Sequence, residues 1–134
     1  MIVALRIAPL AVLAAALAPA AAQDVPELLF CTVDAAEVCQ HDGGCAPQGT
    51  LMGGDLPLRI TIDVPDRVLA APSNDGWTVV TPMATLATTV GQTVMQGIEG
   101  GFAWSVAVDA EGQMSLTSSS AFVAVAAFGT CTTE

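Results

Sequence analysis

The chain has 134 residues and a net charge of −10, from 13 acidic residues against three arginines and no lysine. This balance argues against nucleic acid and against an anionic membrane surface as partners, because both are bound through basic side chains. The hydrophobic content of 53% excludes intrinsic disorder, and the length suits a single packed domain.

The first 22 residues have the layout of a cleaved export signal. Arg6 is their only charged side chain, residues 7–18 form an apolar run, and Pro19 precedes three small residues that suit a signal peptidase. The uninterrupted apolar stretch is shorter than the roughly 20 residues that a transmembrane helix needs. We therefore expect cleavage after Ala22 and a mature protein, residues 23–134, that is periplasmic or secreted.

Alternating hydrophobic and polar residues predict β-strands in the mature chain, which is also rich in valine and threonine. In residues 58–64 every second residue is Leu, Ile or Val, as in a strand with one buried face. Residues 102–108 and 114–118 alternate in the same way around a turn sequence at 109–112, which begins with Asp and ends with Gly. This arrangement predicts a β-hairpin, with Trp104 on its buried side.

Other segments differ in how clearly they indicate strands. Further strands are predicted at residues 28–33, 68–71, 77–80 and 121–128. A helix-like spacing of three or four residues separates Met83, Leu86, Val90, Val94 and Ile98. Four threonines and Gly91 in the same segment, 83–98, instead favour two strands broken at Gly91. Residues 40–56, with five glycines, predict a long surface loop.

These elements predict an all-β fold, a single small antiparallel barrel or sandwich of about six to eight strands. Residues 121–128 are apolar on both faces, which is typical of a strand that is covered on both sides or central in its sheet. Among their residues, Ala124, Ala126 and Ala127 either leave room for a ligand inside a barrel or let two layers pack closely.

The four cysteines all lie in the mature chain, and an even number in an exported protein predicts two disulfides. Three connectivities are open, and the glycine-containing loop between Cys39 and Cys45 favours a bond between these two. Cys31 then pairs with Cys131. The alternative is a metal site formed by Cys39, His41 and Cys45, although this spacing matches no standard zinc pattern. We expect a disulfide framework, with neither a metal nor a cofactor.

His41 is the only histidine, so any Ser-His-Asp or Cys-His mechanism would have to use it. Its position between two paired cysteines predicts a solvated loop residue instead. Two acid pairs, Asp63 with Asp66 and Asp109 with Glu111, remain open as carboxylates for hydrolysis. Both pairs lie in turn sequences, where acidic residues are common for structural reasons. We therefore assign no catalytic residue.

The chain contains several short motifs around its cysteines: the Phe30-Cys31 pair, Cys39, Cys45 after Asp42-Gly43-Gly44, and the terminal Phe128-Gly129-Thr130-Cys131. These motifs resemble those of a group of small exported alphaproteobacterial proteins of unknown function. The group shares an N-terminal cluster of three cysteines and a C-terminal F-G-x-C. This resemblance implies neither an activity nor binding residues.

The sequence favours an exported, non-catalytic binding or interaction domain. Its partner would be an apolar small molecule, a cation or another exported protein, because the acidic surface repels phosphorylated and anionic ligands. The alternatives are a small acid-dependent hydrolase and a purely structural envelope protein.

Overall fold

A computed structural model describes residues 28–89 and 91–133, and these residues form twelve β-strands and no helix. The strands are β1 (Leu28–Gln40), β2 (Gly44–Gln48), β3 (Thr50–Leu51), β4 (Gly54–Asp55), β5 (Leu58–Asp63), β6 (Val68–Pro72), β7 (Thr78–Pro82), β8 (Thr85–Thr89), β9 (Gln92–Glu99), β10 (Phe102–Asp109), β11 (Gln113–Ser119) and β12 (Val123–Thr132). The predicted export signal, residues 1–22, lies outside the described residues. Within them, no helix is long and apolar enough to cross a membrane.

Ten of these strands form one antiparallel sheet. Nine of them follow the order β7-β6-β5-β1-β12-β11-β10-β9-β8, and the tenth, β2, pairs with the C-terminal part of β1. The strands β3 and β4 make a separate small hairpin. The large sheet curls into a half-barrel, so that β7 at one edge packs against β9 near the other edge. The predicted all-β antiparallel class is confirmed.

The curl is held from inside by contacts between its two halves. The indole Nε1 of Trp104 on β10 donates a hydrogen bond to Oγ1 of Thr81 on β7, at 2.9 Å, and both residues are buried. Gly97 on β9 lies directly beneath the Trp104 ring and the Pro82 carbonyl, where a methyl group would not fit. Close approach of β7 to β9 therefore depends on the missing side chain at Gly97.

The core fills the concave side of the sheet. The alternation predicted at residues 58–64 is confirmed, since Leu58, Ile60 and Ile62 are buried and Arg59 between them is exposed. The predicted hairpin is also confirmed, with Trp104 buried and the turn at the predicted place. Both β5 and the β10–β11 hairpin thus turn every second side chain into the same interior.

The first strand is longer than the sequence predicts, because it contains a β-bulge. The register of β1 against β12 shifts between Val33 and Ala35, which leaves Asp34 as the extra residue. Buried positions therefore change from 29, 31 and 33 to 36. The shift breaks the period-2 pattern, so the segment after Val33 does not read as a strand in the sequence.

Residues 83–98 form the strands β8 and β9, and the helical alternative is wrong. Gly91 lies between them with a φ of 74°, a left-handed conformation that suits glycine at a turn. Val90, one of the residues in the helix-like spacing, lies outside the described residues. The threonines of β8 and β9 therefore indicated the structure better than the spacing of the apolar residues.

The predicted strand count of six to eight is too low, and the predicted loop at residues 40–56 is partly wrong. This segment contains the short strands β2, β3 and β4. All five residues of β2 are exposed, so their side chains carry no alternation that could reveal a strand. The strand forms through backbone pairing with β1 instead.

Both predicted disulfides are present. Cys31 and Cys131 lie directly opposite each other on β1 and β12, in the core. Cys39 and Cys45 are opposite each other on β1 and β2, where Cys45 is exposed. The alternative metal site at Cys39, His41 and Cys45 is wrong, because the two sulfurs are bonded to each other and offer no thiolate.

Candidate ligand cavity

The half-barrel opens at one end into an apolar cavity of about 410 Å³, which we call the mouth cavity. Its volume and largely apolar lining fall within the range of small-molecule sites. The apolar lining residues are Leu51, Met52, Leu69, Val79, Phe102, Trp104, Leu116 and Val125. The polar ones are Thr81, Glu99 and Ser118.

The walls of the mouth cavity are inward-facing side chains of five strands of the large sheet and the last residue of β9. Leu116 and Ser118 are two residues apart on β11, and Phe102 and Trp104 are two apart on β10, so each pair shares one face. Val125 lies on the same side of β12 as the buried Ala127. The inward-facing side chains that form the core therefore continue to the open end of the half-barrel, where they line the mouth cavity.

The outer wall comes from the β3–β4 hairpin, which carries Leu51 and Met52. This hairpin is fixed to the loop between β6 and β7 by two hydrogen bonds. The backbone amide of Asn74 donates to the Gly53 carbonyl at 2.8 Å. The backbone amide of Asp55 donates to the side-chain Oδ1 of Asn74 at 3.2 Å. The cavity is thus closed on one side by a segment that local sequence describes only as a glycine-rich loop.

The same loop between β6 and β7 has an ordered carboxylate. The Ser73 hydroxyl donates to the Asp75 carboxylate, and the Trp77 amide also donates to it. These hydrogen bonds hold the pKa of Asp75 below its ordinary value, because they stabilise the charged form. The shift is opposite to the one that a general acid at neutral pH would need.

At the floor of the mouth cavity, the Thr81 hydroxyl accepts the Trp104 hydrogen bond. This bond satisfies the one polar atom of the indole ring, which leaves the ring as an apolar surface toward the cavity. Among the lining residues, Glu99 is the charged one, and it lies at the exposed end of β9 opposite Phe102. The cavity is therefore apolar inside and carries a carboxylate at its rim.

A second cleft, of about 670 Å³, lies at the opposite end of the half-barrel between the β8–β9 and β10–β11 turns. Its lining includes two carboxylates, those of Glu111 and Asp109. The Asp109 carboxylate accepts the backbone amides of Glu111 at 3.1 Å and Gln113 at 2.7 Å. This carboxylate is therefore occupied within its own turn. Although the cleft is larger, it offers fewer apolar side chains than the mouth cavity.

The acid pairs considered for hydrolysis belong to turns. The Asp66 amide donates to Oδ1 of Asp63 at 3.0 Å, in the same manner as the Asp109 turn. Neither pair lies in the mouth cavity. His41 is three-quarters exposed, with Nε2 at 3.8 Å from a carboxylate oxygen of Asp42, and it lines neither cavity. Asp109 and Glu111 both line the second cleft. The other acid pair and His41 line neither cavity, so the structure does not bring the two pairs and the histidine together into one site.

The predicted interior position of the three alanines is mostly wrong. Ala124 is exposed and Ala126 is half-buried, because both lie on the outer face of β12, while Ala127 is fully buried against the core. β12 is central in the sheet, as predicted, but its outer face is not covered, and Phe128 is 60% exposed there. On β12, the mouth cavity is lined by Val125 rather than by an alanine.

Across the described residues, no group of three or more His, Cys, Asp or Glu side chains is placed to hold a metal ion. The chain matches no protein-family model, no curated protein and no solved structure. Fold and cavity together define the class: a disulfide-bonded β half-barrel with an apolar cavity at its mouth.

Proposed function

We propose that this protein is an exported, non-catalytic binding protein that holds an apolar small molecule in the mouth cavity. The observation that carries the proposal is the lining itself, in which eight of eleven residues are apolar and two of these are aromatic. Contact between an apolar surface and water is unfavourable, so a ligand that covers such a surface gains hydrophobic free energy.

The binding test uses decanol as a neutral apolar probe and Trp104 as the reporter. The chain has one other tryptophan, Trp77, which is 75% exposed. In a Trp77→Phe background, Trp104 is therefore the only tryptophan that fluoresces. We expect a saturable change in its fluorescence as decanol enters the cavity. The absence of a saturable change would overturn the proposal.

Two variants that fill the cavity make this test specific. Val125→Phe and Ser118→Met both add volume toward the cavity, and we expect each to weaken decanol binding about tenfold or more, since apolar sites discriminate strongly by size. The matched control is Ala124→Val, which adds volume on the outer face one residue away. Circular dichroism and urea unfolding establish that each variant is folded. Unchanged affinity in both filled variants would contradict the assignment of the site.

Export is the second part of the proposal. Two disulfides are stable in an oxidising compartment, and the first 22 residues have the pattern of a cleaved signal. Expression of the full chain in a Gram-negative host should yield a periplasmic protein whose first residue, by mass spectrometry, is Gln23. An intact chain that begins at Met1 and stays in the cytoplasm would show that the signal is not used.

A further inference from the structure

Among the residues that line the mouth cavity, the charged one is negative. Glu99 is the charged residue of the lining and is exposed to solvent at the rim. The two arginines among the described residues lie elsewhere: Arg59 is on the outer face of β5, and Arg67 is in the turn between β5 and β6. No cation of the described residues therefore lines the cavity to neutralise Glu99.

The neighbour of Glu99 strengthens this effect. Phe102 is directly opposite Glu99 in the β9–β10 ladder, and it is half-buried in the cavity wall. An aromatic ring attracts a nearby cation through its negative face, while a carboxylate attracts it by charge. The two groups thus place a cation-attracting rim above an apolar interior.

Ligands with other head groups gain less from this arrangement. A fatty-acid carboxylate would have its charge next to Glu99 and inside the field of a chain with a net charge of −10. A neutral alcohol would gain the apolar contacts but no charge interaction. The remaining polar lining consists of the hydroxyls of Thr81 and Ser118, which carry no positive charge to favour an anion.

We infer that the mouth cavity selects an apolar molecule with a cationic head, of the alkylammonium type, with its apolar body against Trp104 and its head beside Glu99. The inference rests on the proposed function, and it adds the chemical class of the ligand. It also assigns Glu99 as a specificity-determining residue.

The test compares three probes that share a ten-carbon chain and differ in their heads: decyltrimethylammonium, decanol and decanoate. Binding is measured at neutral pH, below micelle-forming concentrations, through Trp104 fluorescence in the Trp77→Phe background. We expect decyltrimethylammonium to bind most tightly and decanoate least. Raising the salt concentration should reduce the difference between them, because Glu99 is exposed and screened by ions.

The variant Glu99→Gln isolates the carboxylate. It should weaken decyltrimethylammonium binding by about two- to fivefold, the range for an exposed ion pair, tighten decanoate binding and leave decanol unchanged. The matched control is Glu37→Gln, which removes the same charge from an exposed position on β1.

The outcomes separate the two proposals. If decanol gives no saturable binding, the proposed function fails. If decanol binds but decyltrimethylammonium binds no better, or if Glu99→Gln changes the three affinities no more than Glu37→Gln does, the proposed function stands and the cationic class is overturned.

Discussion

In the turn between β10 and β11, one carboxylate accepts hydrogen bonds from two backbone amides. Asp109 ends β10, and its Oδ1 accepts the amides of Glu111 and Gln113. Gly112 follows with a φ of 82°, which a residue with a side chain rarely adopts. The sequence Asp-Ala-Glu-Gly predicts this turn because both features belong to the local chain and need no tertiary contact.

Asp109→Ala should therefore destabilise the hairpin. We expect a loss of about 1–2 kcal/mol in the free energy of unfolding, since two amides lose their acceptor, while Asp109→Asn keeps an oxygen there and loses less. Urea unfolding of the wild type and the two variants measures the difference. An Ala variant as stable as the wild type would show that the carboxylate does not hold the turn.

At the scale of single elements, the approach of β7 to β9 depends on a glycine without unusual backbone angles. A Cβ at Gly97 would collide with the Pro82 carbonyl and with the Trp104 ring, neither of which can move freely. Gly49, in contrast, has open space around it. Comparing alanine substitutions at the two glycines therefore distinguishes the effect of a steric clash at Gly97 from the general effect of replacing a glycine.

Gly97→Ala should lower the free energy of unfolding by about 1–3 kcal/mol, the usual cost of overpacking. Gly49→Ala should leave it nearly unchanged or raise it slightly, because alanine restricts the unfolded chain. Chemical denaturation of both variants checks the pair. A Gly97→Ala variant as stable as Gly49→Ala would mean that β7 and β9 are not closely packed at Gly97.

The elements that sequence patterns revealed are those with one buried face. β5 and the β10–β11 hairpin alternate because each contributes to one side of the core. The second half of β1 was missed because the bulge at Asp34 shifts the alternation, and β2 was missed because both its faces are exposed. Periodicity reports burial on one face, so it fails wherever the pattern is interrupted or absent.

The mouth cavity was harder to predict than the strands around it. Trp104 could be placed in the interior from its strand, but Leu51 and Met52 reach the cavity through the contact of their hairpin with the loop between β6 and β7. Such a contact joins distant parts of the chain and leaves no local pattern. The one available indication was an adjacent apolar pair within a glycine-rich segment.

For the whole molecule, the two disulfides should differ in both accessibility and effect. The bond between Cys39 and Cys45 is near the surface, whereas Cys31 and Cys131 are 2% and 6% exposed. A mild reductant should therefore open Cys39–Cys45 first. Alkylation at increasing reductant concentrations, followed by peptide mapping, determines the order. Reduction of Cys31–Cys131 first would show that this bond is not shielded by the core.

The buried bond should also contribute more to stability. It joins residues 100 apart in sequence, against six for the other bond. In the chain-entropy model the contributions are about 4.7 and about 2.4 kcal/mol. Replacing each cysteine pair with alanines and measuring urea unfolding compares them. A larger loss from the Cys39–Cys45 pair would be inconsistent with a fold whose first and last strands are joined by the buried disulfide.

The central claim, that the mouth cavity is the binding site, is tested most directly by NMR chemical-shift mapping with decyltrimethylammonium. We predict saturable shifts of the amides at Leu51, Trp104 and Val125, with little change at Thr88 and Asp109 in the opposite cleft. Shifts concentrated in that cleft, or on the outer face around Phe128, would contradict the account.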